Sequence, residues 1–282
     1  MAKLKKRPKL PSVVLGIQDV DALTENIVAL LYGKASSGKT RTAATFPGRR
    51  LFLDINNEKG LKTVRKMKDI QFAKVQDFSD LQDMFWWLRK RKRDYGTIIL
   101  DQITGLQDLA MKSVREHFRM DKDEPFQGFK KFGKLSGDMK QWLSSYRELS
   151  DFYNIVFVAH QRSFDSEQGE GEIDPNVSAR VMPSIGSFIE GACDIIGHCY
   201  IGSVKSKNSK GKTVITPEYR MRIGPHPIYT TKIRRDPDDG PIPEYIVNPS
   251  YRKLVAIEAG KDVKTTAVKK EKLNGKKRKA QP

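Results

Sequence analysis

The sequence predicts an α/β fold in which a mostly parallel sheet is flanked by helices and extended near its C-terminal end by antiparallel strands. Three observations predict it. Short apolar runs of strand length recur between stretches of helical periodicity. The first run passes directly into a glycine-rich loop, as a buried parallel strand does when it leads into a helix. From about residue 195, longer alternating segments separated by polar turns replace this pattern.

Ile27 to Tyr32 is the first run, and it ends at Gly33. Leu51-Phe-Leu-Asp54 is a second run closed by an acid, and Ile70 to Val75 is a weaker third. Ser79 or Asp80 can cap a helix whose Leu81, Met84, Phe85 and Leu88 share one face. Its far end, Arg89 to Arg93, places cations where the helix dipole favours them. Thr97-Ile-Ile-Leu-Asp101 is the fourth strand, again ending in an acid. Residues 103–120 and 135–152 read as helices joined by an irregular basic-aromatic segment, 121–134. Ile155 to Ala159 is the fifth strand and leads into His160-Gln161. Strands at 195–204, 213–223 and 228–235 form an antiparallel meander, with 205–212 as its first turn. No internal repeat is visible.

Composition excludes several classes. With 38 % hydrophobic and 30 % charged residues in 282, the chain can bury a core. No stretch approaches the roughly 18–20 apolar residues of a membrane helix, and the opening Met-Ala-Lys-Leu-Lys-Lys-Arg-Pro-Lys lacks the apolar run of a secretory signal. Two cysteines, Cys193 and Cys199, make no disulfide framework and read as small apolar residues. Four histidines, with His198 and His226 isolated, argue against a metal cluster. The expectation is a soluble intracellular protein with no membrane contact.

The formal net charge is +18, and most of it is terminal. Residues 1–12 carry five basic and no acidic side chains, and residues 261–282 carry nine basic and two acidic. Such segments with little apolar content stay unfolded. They read as arms that grip phosphate backbones by counterion release, as solubilising tails, or, at Lys276 to Lys279, as a nuclear-import signal. The expected organisation is a basic N-terminal arm and lead-in at 1–23, a core at 24–260 and a basic tail at 261–282.

Gly33-Lys34-Ala35-Ser36-Ser37-Gly38-Lys39-Thr40 matches G-x-x-x-x-G-K-[ST] in full, after a strand and before a helix. The glycines let the backbone curl so that its N–H groups face a β-phosphate, and the following helix, opening with Arg41, adds its positive end. Lys39 then reaches the β- and γ-phosphates, and the Thr40 hydroxyl binds Mg²⁺. Asp101, ending a strand after the loop, can join that metal directly or through water. Hydrolysis further needs a group that orients or deprotonates water. Glu58, Asp54 and Gln161 all follow strands, and spacing does not choose among them. No Asn-Lys-x-Asp or Thr-Lys-x-Asp is present to read guanine, and no Arg-rich lid marks a small-molecule kinase.

The ordered set resembles a RecA-like P-loop NTPase core. It comprises the Gly33–Thr40 loop with the following Arg-Thr-Ala-Ala-Thr-Phe-Pro47, Leu-Phe-Leu-Asp54 with Glu58-Lys-Gly-Leu61, Thr-Ile-Ile-Leu-Asp101, Val-Phe-Val-Ala-His160-Gln161 and Thr-Thr-Lys232-Ile-Arg234. It is similar in particular to short phage nucleotide-binding ATPases, including the single-strand annealing group named Sak-four, over roughly residues 24–250. The resemblance implies an Mg-ATP-dependent ATPase acting on single-stranded DNA in phage recombination or annealing, in the host cytoplasm. It implies Glu58 as the catalytic glutamate and Gln161, with His160, as the γ-phosphate sensor. It also implies Lys232 and Arg234 as a Lys-x-Arg finger reaching a neighbouring subunit's ATP. Self-association into a ring or filament with shared sites follows, and a single-strand binding protein is a further partner.

Three features depart from the family's pattern. Asp54 and Glu58 stand two residues further apart than the family's Asp-x-Glu, and Gln102 replaces a hydroxyl residue. The loop at 162–185, which binds DNA in relatives, carries five acids against Arg162 and Arg180. An acidic loop repels phosphate, so the tails and the basic stretches 89–93, 130–134 and 205–212 are better DNA candidates. Phe126, Phe129 and Phe132 interleave with Lys130, Lys131 and Lys134, which suits base stacking or, equally, packing onto the core. Trp86 and Trp87 are adjacent, so only one can face the core. The acidic loop also motivates a protein-directed ATPase, such as a helicase loader or packaging factor. The Glu58 spacing motivates a nucleotide-gated DNA-binding module with negligible turnover.

Overall fold

Ile27, Ala29 and Leu31 bury against one hydrophobic cluster, while Val28, Leu30 and Tyr32 bury against another. That alternation marks a central strand with both faces covered. It is β1, Val28–Gly33, of a computed structural model that describes residues 26–56, 60–90, 94–163, 177–207, 211–261 and 263. The basic arm at 1–23 and nearly all of the tail from 264 lie outside the described residues.

From β1 the chain runs through α1 (Lys39–Ala43), β2 (Arg50–Ile55), β3 (Ile70–Val75), α2 (Phe78–Lys90), β4 (Thr97–Asp101) and α3 (Ile103–His117). It continues through α4 (Phe129–Glu148), β5 (Asn154–Ser163), β6 (Val177–Ala179) and α5 (Pro183–Ala192). The last third holds β7 (Ile195–Lys207), β8 (Thr213–Arg222), β9 (Lys232–Ile233), β10 (Ile246–Val247) and α6 (Tyr251–Glu258). The sheet order is β10-β8-β7-β1-β5-β4-β2-β3, with β6 on β5 and β9 on β7. All pairings from β7 to β3 are parallel, and β8 and β10 extend them antiparallel. Helices α2 to α5 cover one face and α1 and α6 the other. No described helix is long and apolar enough to cross a membrane.

The predicted α/β sheet and its antiparallel extension are present, with several boundaries moved. Helix α2 opens at Phe78, because the Asp80 carboxylate reaches back to the amides of Gln76 and Asp77, 2.8 and 3.1 Å away. Helix α4 begins at Phe129, inside the segment expected to be irregular, and is followed by a 3-10 turn at Leu149–Asp151. The strand expected at 228–235 shrinks to β9. His226 Nδ1 accepts the amides of Ile228 and Tyr229, while the Val177 amide donates to the Ile228 carbonyl and the Val177 carbonyl accepts the Thr230 amide, so this stretch leaves the meander. Helices α5 and α6 were not anticipated. Neither tryptophan faces the core squarely: Trp86 is 46 % and Trp87 40 % exposed, while the adjacent Phe85 is buried.

One buried side chain ties the lower ends of the central strands. Asn154 Oδ1 accepts from the Ile27 amide at 3.0 Å, and its Nδ2 donates to the Gly96 carbonyl at 3.0 Å. Asn154→Leu leaves that amide without a partner at a site only 4 % exposed. The expected cost is about 2 kcal/mol, read by urea denaturation, and an unchanged midpoint would show that the amide finds another acceptor.

Candidate functional site

The loop between β1 and α1 is shaped by what surrounds it. A Cβ at Gly33 would stand 2.1 Å from the Cys199 carbonyl oxygen of β7, a backbone atom that cannot yield. Gly38 has φ +91° and Ser36 φ +62°, so the loop passes twice through left-handed backbone. Lys39 is 8 % exposed and donates Nζ hydrogen bonds to the carbonyls of Gly33 at 3.0 Å and Lys34 at 2.8 Å. The ammonium therefore lies folded across the loop.

Parallel register brings the strand ends together. Gly33 stands opposite His160, Asp101 opposite Val158, and Asp54 opposite Asp101. The Thr40 hydroxyl donates to Asp101 Oδ2 at 2.9 Å, across 61 residues of sequence. Adjacent ligands in an octahedral Mg²⁺ shell are about 3 Å apart, given bonds of about 2.1 Å, so this hydroxyl-carboxylate pair fits a divalent ion. Ser37 Oγ and Gln102 Oε1 are buried with no hydrogen-bond partner among the described residues. The hydroxyls and the carboxylate fit a metal-phosphate group, in which Thr40 and Asp101 would hold the metal.

A cavity of about 420 Å³ opens here, lined by residues 35–41 together with Gly60, Thr63, Asp101, Gln102, His160 and Tyr219. Of the residues expected at the nucleotide, Ala35, Ser36, Ser37, Gly38, Lys39, Thr40, Arg41, Asp101 and His160 all meet in it. Gly33 lies beneath it, and Lys34 faces a neighbouring cavity. Glu58 lies outside the described residues; Asp54 is described, 8 % exposed, at the end of β2.

Gln161 sits differently from His160. In the neighbouring cavity of about 380 Å³ its Oε1 lies 3.2 Å from His198 Nε2. His198 Nδ1 is 3.5 Å from Arg222 Nη1; a guanidinium only donates, so Nε2 carries the hydrogen given to Gln161. The imidazole stacks on Tyr229 with ring centres 4.1 Å apart, and the Arg222 guanidinium lies over Tyr200 and Tyr229 at 4.0 and 4.6 Å. His198 is thus part of a packed aromatic-cation stack, and the described residues hold no metal-binding cluster.

Lys232 and Arg234 are not brought to this chain's own loop. Lys232 Nζ donates to the Glu190 carbonyl at 2.6 Å, and Arg234 binds Asp194 Oδ1 at 3.0 Å and the Gly191 carbonyl at 2.6 Å. Both stand at the C-terminal end of α5, where the helix dipole favours cations. The interleaved phenylalanines divide: Phe126 packs edge-on to Phe132 at 5.1 Å and against the core, whereas Phe129 is 99 % exposed. The sequence pattern gives Gln102 and His198 no role in the site and does not single out Tyr219 or Arg222. Only alternation along the hairpin strands could have placed Tyr219 on the loop's side of the sheet.

Burial first, then the charges of Arg222, His226 and Lys34, push the His198 pKa down to about 3. In the unfolded chain the ring protonates near 6.5, so below that pH the unfolded state binds a proton that the folded state refuses. Stability therefore falls as pH drops from about 6.5 toward 3, by roughly 2 kcal/mol between pH 7 and pH 5. His198→Asn is expected to lose this contribution in paired denaturation curves, and equal pH 7-to-5 losses in both proteins would place a proton on the folded ring.

Comparison with curated proteins finds no match. Residues 25–235, most of the chain and all of the described strands except β10, match the profile of a protein family described as an AAA domain. That family is of P-loop NTPase type and its members are generally ATPases, in keeping with a loop, a lysine, a hydroxyl and a strand-end carboxylate gathered at one edge of a parallel sheet. On that match the chain belongs to the AAA domain family, a family of nucleotide-binding ATPases.

Proposed function

We propose that this protein is a RecA-like, Mg-ATP-dependent ATPase that acts on single-stranded DNA in phage recombination or strand annealing. The observation that carries the ATPase reading is the Thr40–Asp101 pair at 2.9 Å beside the Lys39 loop. Mg²⁺ held there supplies charge neutralisation at the β- and γ-phosphate oxygens. Lys39 exchanges its two loop carbonyls for phosphate oxygens, and the loop amides bind the β-phosphate. His160, on the cavity wall, faces the γ-phosphate position, and Glu58 is our choice for the group that activates water.

The DNA reading rests on charge and on the family resemblance. The net charge of +18 lies mostly in the terminal arms, which would bind phosphate in a salt-sensitive way. Among the basic stretches, Arg89 pairs with Glu148 and Lys131 with Glu124 at the surface. Exposed pairs of this kind are worth less than about 1 kcal/mol, so phosphates can displace their carboxylates. Gln161, bonded to His198 rather than turned to the phosphates, is placed to pass nucleotide state to the following loop.

Lys39→Ala is expected to lower ATP hydrolysis by at least about 10²-fold, and near-normal turnover would remove the site assignment. Turnover measured with and without single-stranded DNA, on the full chain and on residues 13–260, tests the substrate. Stimulation that survives truncation supports a core DNA site, and stimulation lost with the arms makes them the site. Turnover indifferent to DNA in both favours a protein-directed ATPase.

If the ring or filament shares its sites, Lys232→Ala alone is inactive but regains turnover when mixed with Lys39→Ala. Absence of rescue leaves Lys232 as the anchor of α5 that it is within one chain.

A further inference from the structure

The cavity at the loop has two ends, and phosphate chemistry accounts for one. Asp101 is on β4, two strands from β1 on one side; Tyr219 is on β8, two strands from β1 on the other. Thr40 and Asp101 would hold the metal that neutralises charge at the transferred phosphate. A γ-phosphate would therefore lie toward β4, and the α-phosphate with whatever it carries would leave in the opposite direction, past Arg41 and toward β8.

Tyr219 stands on that exit. Its ring rests against the loop, with Cδ1 3.0 Å and Cε1 3.5 Å from where a Cβ on Gly38 would be. It is 42 % exposed, whereas Met221, next on the same side of β8, is fully buried. Ile201, its register partner on β7, is 51 % exposed beside it. Core packing does not call for an exposed ring in the wall of the loop cavity, with an exposed aliphatic side chain beside it. The backbone beneath the ring is fixed, since β8 is paired on both sides and the Tyr219 carbonyl accepts the Asn248 amide at 2.7 Å. A rigid, half-exposed aromatic of this kind loses little entropy when a planar ligand covers it.

We propose that Tyr219 is the base platform of the nucleotide site, its phenol ring stacking on the nucleobase of the bound triphosphate. This rests on nucleotide binding at the Lys39 loop, as proposed above. Stacking tolerates any base, so the platform separates nucleotides from inorganic polyphosphate rather than adenine from guanine.

Affinities of the full-length protein for Mg-ATP and for Mg-tripolyphosphate test it. Tyr219→Ala is expected to weaken ATP about tenfold and to leave tripolyphosphate within about twofold, and Tyr219→Phe, which keeps the ring, restores ATP affinity. Unchanged tripolyphosphate affinity also reports that the Ala variant is folded. Equal losses for both ligands would make Tyr219 a support for the loop and overturn the platform, as would undiminished ATP affinity in Tyr219→Ala. A wild-type protein that binds tripolyphosphate as tightly as ATP overturns the platform alone. One that binds neither overturns the nucleotide reading, and the platform with it.

Discussion

The parallel ladder through β1, β5 and β4 is the constraint on which the rest of the molecule depends. Hydrogen bonding between these strands places Gly33 beside His160 and Asp101 beside Val158, so their carboxyl ends finish along one line. Thr40 and Asp101 then meet although 61 residues separate them. A slip of one residue in either pairing would turn every side chain of the strand to the opposite face. Packing opposes that, because successive side chains of these fully buried strands fit two different sets of helices.

The same ladder explains why the loop tolerates so little. β7 runs beside β1 at close range, and the Cys199 carbonyl occupies the space that any side chain at Gly33 would need. Lys39 is buried, with its ammonium held to the carbonyls of Gly33 and Lys34.

Around β1 the sheet divides its labour. On the β5 and β4 side stand the Asp101 carboxylate, Gln102 and His160 of the loop cavity. On the β7 and β8 side stand the aromatic and cationic groups: the Tyr200, Tyr229, His198 and Arg222 stack on one face and Tyr219 near the loop. Gln161 joins the two, since it leaves β5 yet bonds to a histidine of β7, across the edge where β1 ends. Neutral His198 suits that position, because a charged imidazole could not accept from Arg222.

The sequence by itself determined the sheet class, the central strands and the phosphate loop. Each of these is written locally: apolar runs of strand length, a glycine pattern whose ligand contacts come from consecutive backbone amides, an acid at a strand end. It also marked Lys39, Thr40, Asp101 and His160, which meet because parallel strands all end on the same edge. Only the tertiary structure decided that Gln161 turns to His198, 37 residues on, while His160 keeps the cavity, and that Tyr219 covers Gly38. The same holds for Lys232 and Arg234, which close on α5, a short helix that begins inside the segment read as a loop. The physical reason is common to all three. These contacts join segments that come together only after the sheet assembles, and no spacing along the chain encodes which face or which partner a side chain will find.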